Sequence, residues 1–156
     1  MRKLHLFFLN TPFVFSFWIF LIVSILWLHL FIAIVNYFKI DVFALSGKIE
    51  FETLTEEFFI VVVIAPLMET FLFQYLVFLI FDFFKLNKAV IILVSAALFA
   101  SIHYYSWVYI LFTFGSGLLL GYIYWLCQLK SLRPFILVFS LHGLYNLFVS
   151  MMKNIF

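Results

Sequence analysis

The chain has 156 residues, of which 68% are hydrophobic and 24% aromatic, with only 10% charged and a formal net charge of +2. A soluble domain is typically ~45–50% apolar and ~25% charged, so this composition excludes a water-soluble fold and leaves the bilayer as the medium. The basic residues are scattered, which excludes a nucleic-acid surface, and the single cysteine, Cys127, allows neither an internal disulfide nor a cysteine metal cluster.

A helix needs about 20 mostly apolar residues to span a bilayer, and roughly five such runs follow in chain order. The first extends from about Pro12 to Phe38. Met1-Arg2-Lys3 could open a signal peptide, but the run from Phe13 to Val35 exceeds the ~7–15 residues of a signal core and no small-x-small site follows it. A retained anchor is expected. The polar connection from about Lys39 to Glu57 holds five of the seven acids and is expected to be interfacial or partly helical. The second run, Phe58 to Phe84, contains Pro66, which starts or kinks a helix. The remaining runs are Lys88–Tyr105, Trp107–Gln128 and Leu132–Met152. The expected fold is therefore all-α, a polytopic membrane helical bundle of about five transmembrane helices.

With five spans, Arg2, Lys3, Lys85, Lys88, Lys130 and Arg133 fall on one side, against Lys39, Lys48 and Lys153 on the other. Positive residues gather on the cytoplasmic side, so the N-terminus is expected there. In the fourth run, Gly117-x-x-x-Gly121 sets two small residues on one face for close helix packing. No repeat, low-complexity tract or β-barrel alternation is visible.

An ionisable side chain within a span costs about 2.5–3.5 kcal/mol on insertion scales, so each one asks for a reason. Asp82, Lys85 and Lys88 lie at run ends, and His29, alone on the first run, reads as a hydrogen-bonded packing histidine. Glu69, in Ala65-Pro66-Leu67-Met68-Glu69-Thr70, His103, closing Phe99-Ala100-Ser101-Ile102-His103, and His142, opening His142-Gly143-Leu144-Tyr145-Asn146, are harder to dismiss. Any one of them alone reads as structural. Together with Asn146, which shares a helical face with His142, they bring a carboxylate, two imidazoles and a carboxamide from three helices. That set suits hydrolysis: a base for water, a proton shuttle or metal ligand, and an oxyanion donor. If the second helix begins near Pro66, Glu69 lies in its first turn and His103 near the end of the opposing helix. The site would then lie off-centre and within reach of water.

These pieces resemble, in order and spacing, the motifs of the CPBP family (CAAX protease and bacteriocin-processing), which includes type II CAAX prenyl endopeptidases and Abi-type bacterial proteins. The first motif, usually Glu-Glu-x-x-x-Arg after Ala-Pro, is matched by Ala65-Pro66 through Glu69, Thr70 and Gln74. The Phe-x-x-x-His motif is matched by Phe99–His103, and the His-x-x-x-Asn motif by His142–Asn146. The resemblance covers about Phe58 to Met152. It implies residues 1–57 as an anchor with a polar connecting segment and residues 58–156 as the catalytic helical core.

By that resemblance Glu69 activates the attacking water with help from His103, while His142 and Asn146 bind water, stabilise the oxyanion or hold a metal. Substrates would be membrane-associated proteins or peptides, cleaved within the lipid bilayer of a bacterial cytoplasmic membrane. Zinc held by Glu69, His103 and His142 and direct action on water are both compatible with these residues. Thr70 and Gln74 stand where the family has Glu and Arg. Losing both charges together leaves neutral groups able to hydrogen-bond, so the helix stays sound while activity is put in question. The alternative is a catalytically inactive membrane scaffold or bacteriocin-immunity factor. A proton relay is a further reading, weakened by the lack of an inverted repeat. His-Glu-x-x-His and Gly-x-Gly-Asp protease signatures are missing, and Ser116, in Phe114-Gly115-Ser116-Gly117, reads as a packing residue.

Overall fold

A computed structural model describes residues 2–40 and 51–155. Among these the chain is helical and has no strands: α1 Arg2–Asn10, α2 Phe13–Tyr37, α3 Leu54–Phe83, α4 Lys88–Ser101, α5 Trp107–Leu129 and α6 Pro134–Ile155. Helices α2, α3, α5 and α6 are each long and apolar enough to cross a bilayer, and α4 is a shorter apolar helix. The expected all-α membrane bundle of about five helices is what forms. The short helix α1 was not anticipated, and residues 41–50 of the polar connection lie outside the described residues.

Helix α5 is the hub. Half of its apolar window is buried, against 17% for α2, whose remaining surface is left for lipid. The core gathers around Phe78, Ile91, Ile123, Leu126 and Leu141. The Gly117-x-x-x-Gly121 face does what the spacing predicts. A Cβ on Gly117 would come within 2.9 Å of the Ala96 Cα, so α4 and α5 touch nearly backbone to backbone.

Local chemistry explains most helix starts. Asn87 accepts a bond from the Ala89 N–H at 2.8 Å, Ser106 from Tyr109 at 3.1 Å, and Thr53 from Glu56 at 3.1 Å. Pro134 opens α6, where a missing N–H costs nothing. Helix ends are less orthodox. The reversals after α2, α3 and α5 place Lys39, Lys85 and Ser131 at φ near +54°, a region that usually takes glycine.

Helix α3 differs most from expectation. Pro66 neither starts a helix nor breaks one, and α3 runs through it as one 30-residue element. Two π-helical stretches, Phe58–Ile64 and Thr70–Tyr75, flank the α-helical turn Ala65–Glu69. Proline has no N–H to donate and its ring crowds the carbonyl four residues earlier. The widened turn before Pro66 relieves that crowding. Glu69 therefore sits mid-helix instead of in a first turn.

Candidate active site

The π register around Pro66 prepares one wall of the site. The Ala65 N–H bonds to the Ile60 carbonyl, five residues back. The next donor in that register would be residue 66, so the Val61 carbonyl loses its partner. The Asn146 Nδ2 donates to it instead, at 2.9 Å. One turn away, a Cβ on Gly143 would lie 2.8 Å from the Val62 carbonyl oxygen, so glycine is what lets α6 lie against α3 here. This contact brings His142 to Glu69, with His142 Nε2 3.6 Å from Glu69 Oε2. The pair is an ion pair when the imidazole is protonated. His142 is buried, and its Nδ1 lacks a hydrogen-bond partner among the described residues.

His103 arrives differently from its predicted place on a span. Helix α4 stops at Ser101 after 14 residues, about 21 Å of rise, well short of a ~30 Å hydrocarbon core. His103 lies just beyond it, in the connection to α5. Its Nδ1 is 2.8 Å from the Phe99 carbonyl, so Nδ1–H donates there and Nε2 is left as the free nitrogen. Phe99 is buried with its ring against both imidazoles, at centroid distances of 4.8 Å to His103 and 5.8 Å to His142. The phenylalanine of the Phe-x-x-x-His pattern thus spaces two histidines and fixes one of them.

A cavity of about 510 Å³ joins these groups. Glu69, His103, His142 and Asn146 all line it, so the four residues singled out from sequence come to one place. It continues as an apolar channel between α2 and α6, with Leu28, Phe31 and Val149 in its walls. Tyr109 and Tyr145, which had no assigned role in the sequence, also line it. Tyr109 has its ring 5.7 Å from that of His103, and Tyr145 precedes Asn146 on α6.

His29 is not part of this site. It is exposed on α2, with Nδ1 2.8 Å from the Ile25 carbonyl, so its polar need is met within its own helix. Ser116 lines the cavity, but its hydroxyl is spent on the Phe112 carbonyl at 3.3 Å. Thr70 and Gln74 are fully buried, and Thr70 Oγ1 and both polar atoms of the Gln74 amide lack partners among the described residues. They do not bond each other. Both lie in the second π stretch, whose wider turn alters the spacing on which an i,i+4 pairing rests.

Among the described residues, no three His, Cys, Asp or Glu side chains stand close enough together to hold a metal ion. Glu69, His103 and His142 share a cavity without converging on one point.

The family described as type II CAAX prenyl endopeptidase Rce1-like matches residues 52–148, more than half of the chain. The chain belongs to this family. No curated protein and no solved structure matches it significantly. The matched region takes in α3 through most of α6 and contains all four candidate residues, while α1 and α2 lie outside it. The Rce1-like family is a family of proteases, and this member is an integral membrane protein.

Proposed function

We propose that this chain is an intramembrane endopeptidase that hydrolyses peptide bonds of membrane-associated proteins or peptides, with Glu69 activating the attacking water. The observation that carries this reading is the juxtaposition of the Glu69 carboxylate with His142, at 3.6 Å, in the cavity that His103 and Asn146 also line. Glu69 takes a proton from water as its oxygen bonds to the scissile carbonyl carbon. The same proton then passes to the departing amine as the C–N bond breaks. His103, with Nε2 free, shares the proton traffic, and His142 orients the carboxylate. Asn146 uses one amide hydrogen to hold the Val61 carbonyl. Its other amide hydrogen is available to the oxyanion, where a fixed donor stabilises charge as it develops.

In this reading the residues act on water directly. Zinc at Glu69, His103 and His142 would need those side chains to close onto one point, and no step here uses a metal.

The test is N-terminal peptide mapping of host membranes from three strains: wild type, deletion, and deletion complemented with Glu69→Ala. New termini that appear only with the wild-type protein support proteolysis and name the substrate. On that substrate, Glu69→Gln and His103→Ala should each lower turnover by about 10²-fold or more, and exhaustive chelation should leave it unchanged. Full activity in correctly inserted Glu69→Gln protein would overturn the assignment.

Thr70 and Gln74 favour a second reading, a catalytically inactive scaffold or immunity factor, because neither restores the charged pair of the family motif. Rescue of a deletion phenotype by Glu69→Ala, with identical termini in all three strains, would select it.

A further inference from the structure

The two ends of the bundle differ in charge, and the site opens toward only one of them. At the first end, Lys130 Nζ donates to the Leu9 and Thr11 carbonyls at 2.8 and 2.7 Å, tying the α1–α2 joint to the α5–α6 turn. His5 of α1 stacks on Trp125 of α5 at 4.7 Å. Lys88 bonds to Asp82 at 2.6 Å and to Gln128 at 3.2 Å, bringing the α3–α4 turn to the same place. Arg2, Lys3, Lys85, Lys88, Lys130 and Arg133 therefore all belong to this end.

At the second end lie the last turn of α2, the first turn of α3, the 102–106 connection and the last turns of α6. Glu52, Glu56 and Glu57 stand there, and Asp41 and Glu50 fall in the sequence between α2 and α3. Lys39 and Lys153 are the basic residues there among the described ones, and Lys48 falls in the sequence between α2 and α3.

The cavity leads to the second end. From His142 it follows successive turns of α6 through Tyr145, Asn146, Val149 and Met152, with Phe31 and Ile32 of α2 facing them. His103 and Tyr109 border it beside the 102–106 connection, and none of its lining residues lies in the turns of the basic end. A hydrophobic helix bundle inserts with its Lys- and Arg-rich connections in the cytoplasm. Six basic residues against three put the first end there.

We infer that the catalytic cavity opens on the non-cytoplasmic face of the membrane, and that its substrate is a polypeptide presented there. An exported peptide or the outward-facing flank of a membrane protein has that form. A prenylated protein held at the cytoplasmic leaflet would present its cleavage site at the wrong face. This inference rests on the proposed site for its substrate, whereas the direction of the opening rests on charge and packing.

Thiol accessibility in intact cells tests the direction without any need for cleavage. In a Cys127→Ala background, Tyr104→Cys places a thiol on the exposed 102–106 connection, and Leu86→Cys places one in the exposed α3–α4 turn. A membrane-impermeant maleimide should label Tyr104→Cys in intact cells and Leu86→Cys only after permeabilisation. A thiol at Val149, inside the cavity, should react with a small impermeant thiosulfonate from outside. Should that variant fail to insert, alkaline phosphatase fused after Phe156 gives an independent reading, expected to be active. Reversed labelling, equal labelling at both ends or an inactive fusion would overturn the inference. Glu69→Gln should label like its parent, so loss of proteolysis and loss of outward access are read separately.

Discussion

Pro66 and Asn146 explain each other. The proline removes the donor that the Val61 carbonyl would have in the π register, and the asparagine replaces it from another helix. A polar residue of the proposed site is thus also a structural strut, and its two roles can be separated. Asn146→Ala orphans a partly buried carbonyl and is expected to lower stability by about 1–3 kcal/mol. Pro66→Ala restores a backbone N–H, so in that background the same Asn146→Ala change should cost distinctly less. The cycle is measured by unfolding in mixed micelles, and strictly additive costs would break the link. The four candidate residues were legible in the sequence because ionisable and carboxamide groups stand out in apolar runs. The bond to Val61 was not, since it depends on a five-residue register that no spacing reveals. Tyr109 and Tyr145 escaped for a plainer reason: in a chain that is 24% aromatic, two tyrosines carry no signal.

At the scale of helices, boundaries follow the apolar runs. The ends expected at Phe38, Phe84 and Gln128 lie within one residue of those of α2, α3 and α5, and the starts expected at Lys88 and Trp107 are those of α4 and α5. Asn87, Ser106 and Pro134 are recognised N-terminal residues, and each opens the helix its identity suggests. What the runs do not show is the form of the reversals, in which Lys39, Lys85 and Ser131 occupy left-handed positions without a glycine to mark them. After α5, the Ser131 N–H bonds to the Gln128 carbonyl and the Leu132 N–H reaches back to Cys127 at 3.0 Å, closing a Schellman turn around Ser131. That geometry strains any residue with a Cβ. Ser131→Gly should therefore stabilise the protein, by roughly 0.5–1 kcal/mol once the greater freedom of unfolded glycine is counted. Thermal unfolding in detergent would show a higher midpoint, and a lower one would mean that the turn is held by the serine. The same cue, a marked stop, was missing after Ser101. The apolar run continues past the end of α4, so the sequence placed His103 on a span and the structure places it in a connection.

Over the whole molecule, α2 is the least buried of the four long helices. It lies outside the region matched to the protease family, its window is 17% buried, and yet Ser24, Leu28, Phe31 and Ile32 form one side of the cavity. Its attachment near the site depends on one notch. A Cβ on Gly115 would run into the Trp27 indole, whose Nε1 donates to the Phe112 carbonyl at 3.1 Å. Phe31 then stacks on Phe112 at 4.4 Å, closing the wall one turn further along. Filling the notch should move the wall without unfolding the hub, because the tight α4–α5 contact uses Gly117 and Gly121 on another face. Gly115→Val is therefore expected to speed amide exchange along the middle of α2 and to lower kcat/KM several-fold, mainly through KM, with little change in the main unfolding transition. Trp27→Phe, which removes the hydrogen bond but keeps most of the ring, should act in the same direction and cost about 1 kcal/mol. If Gly115→Val left both α2 exchange and KM unchanged, α2 would be a passive neighbour of the cavity, and the substrate-binding wall would have to be sought among α3, α5 and α6.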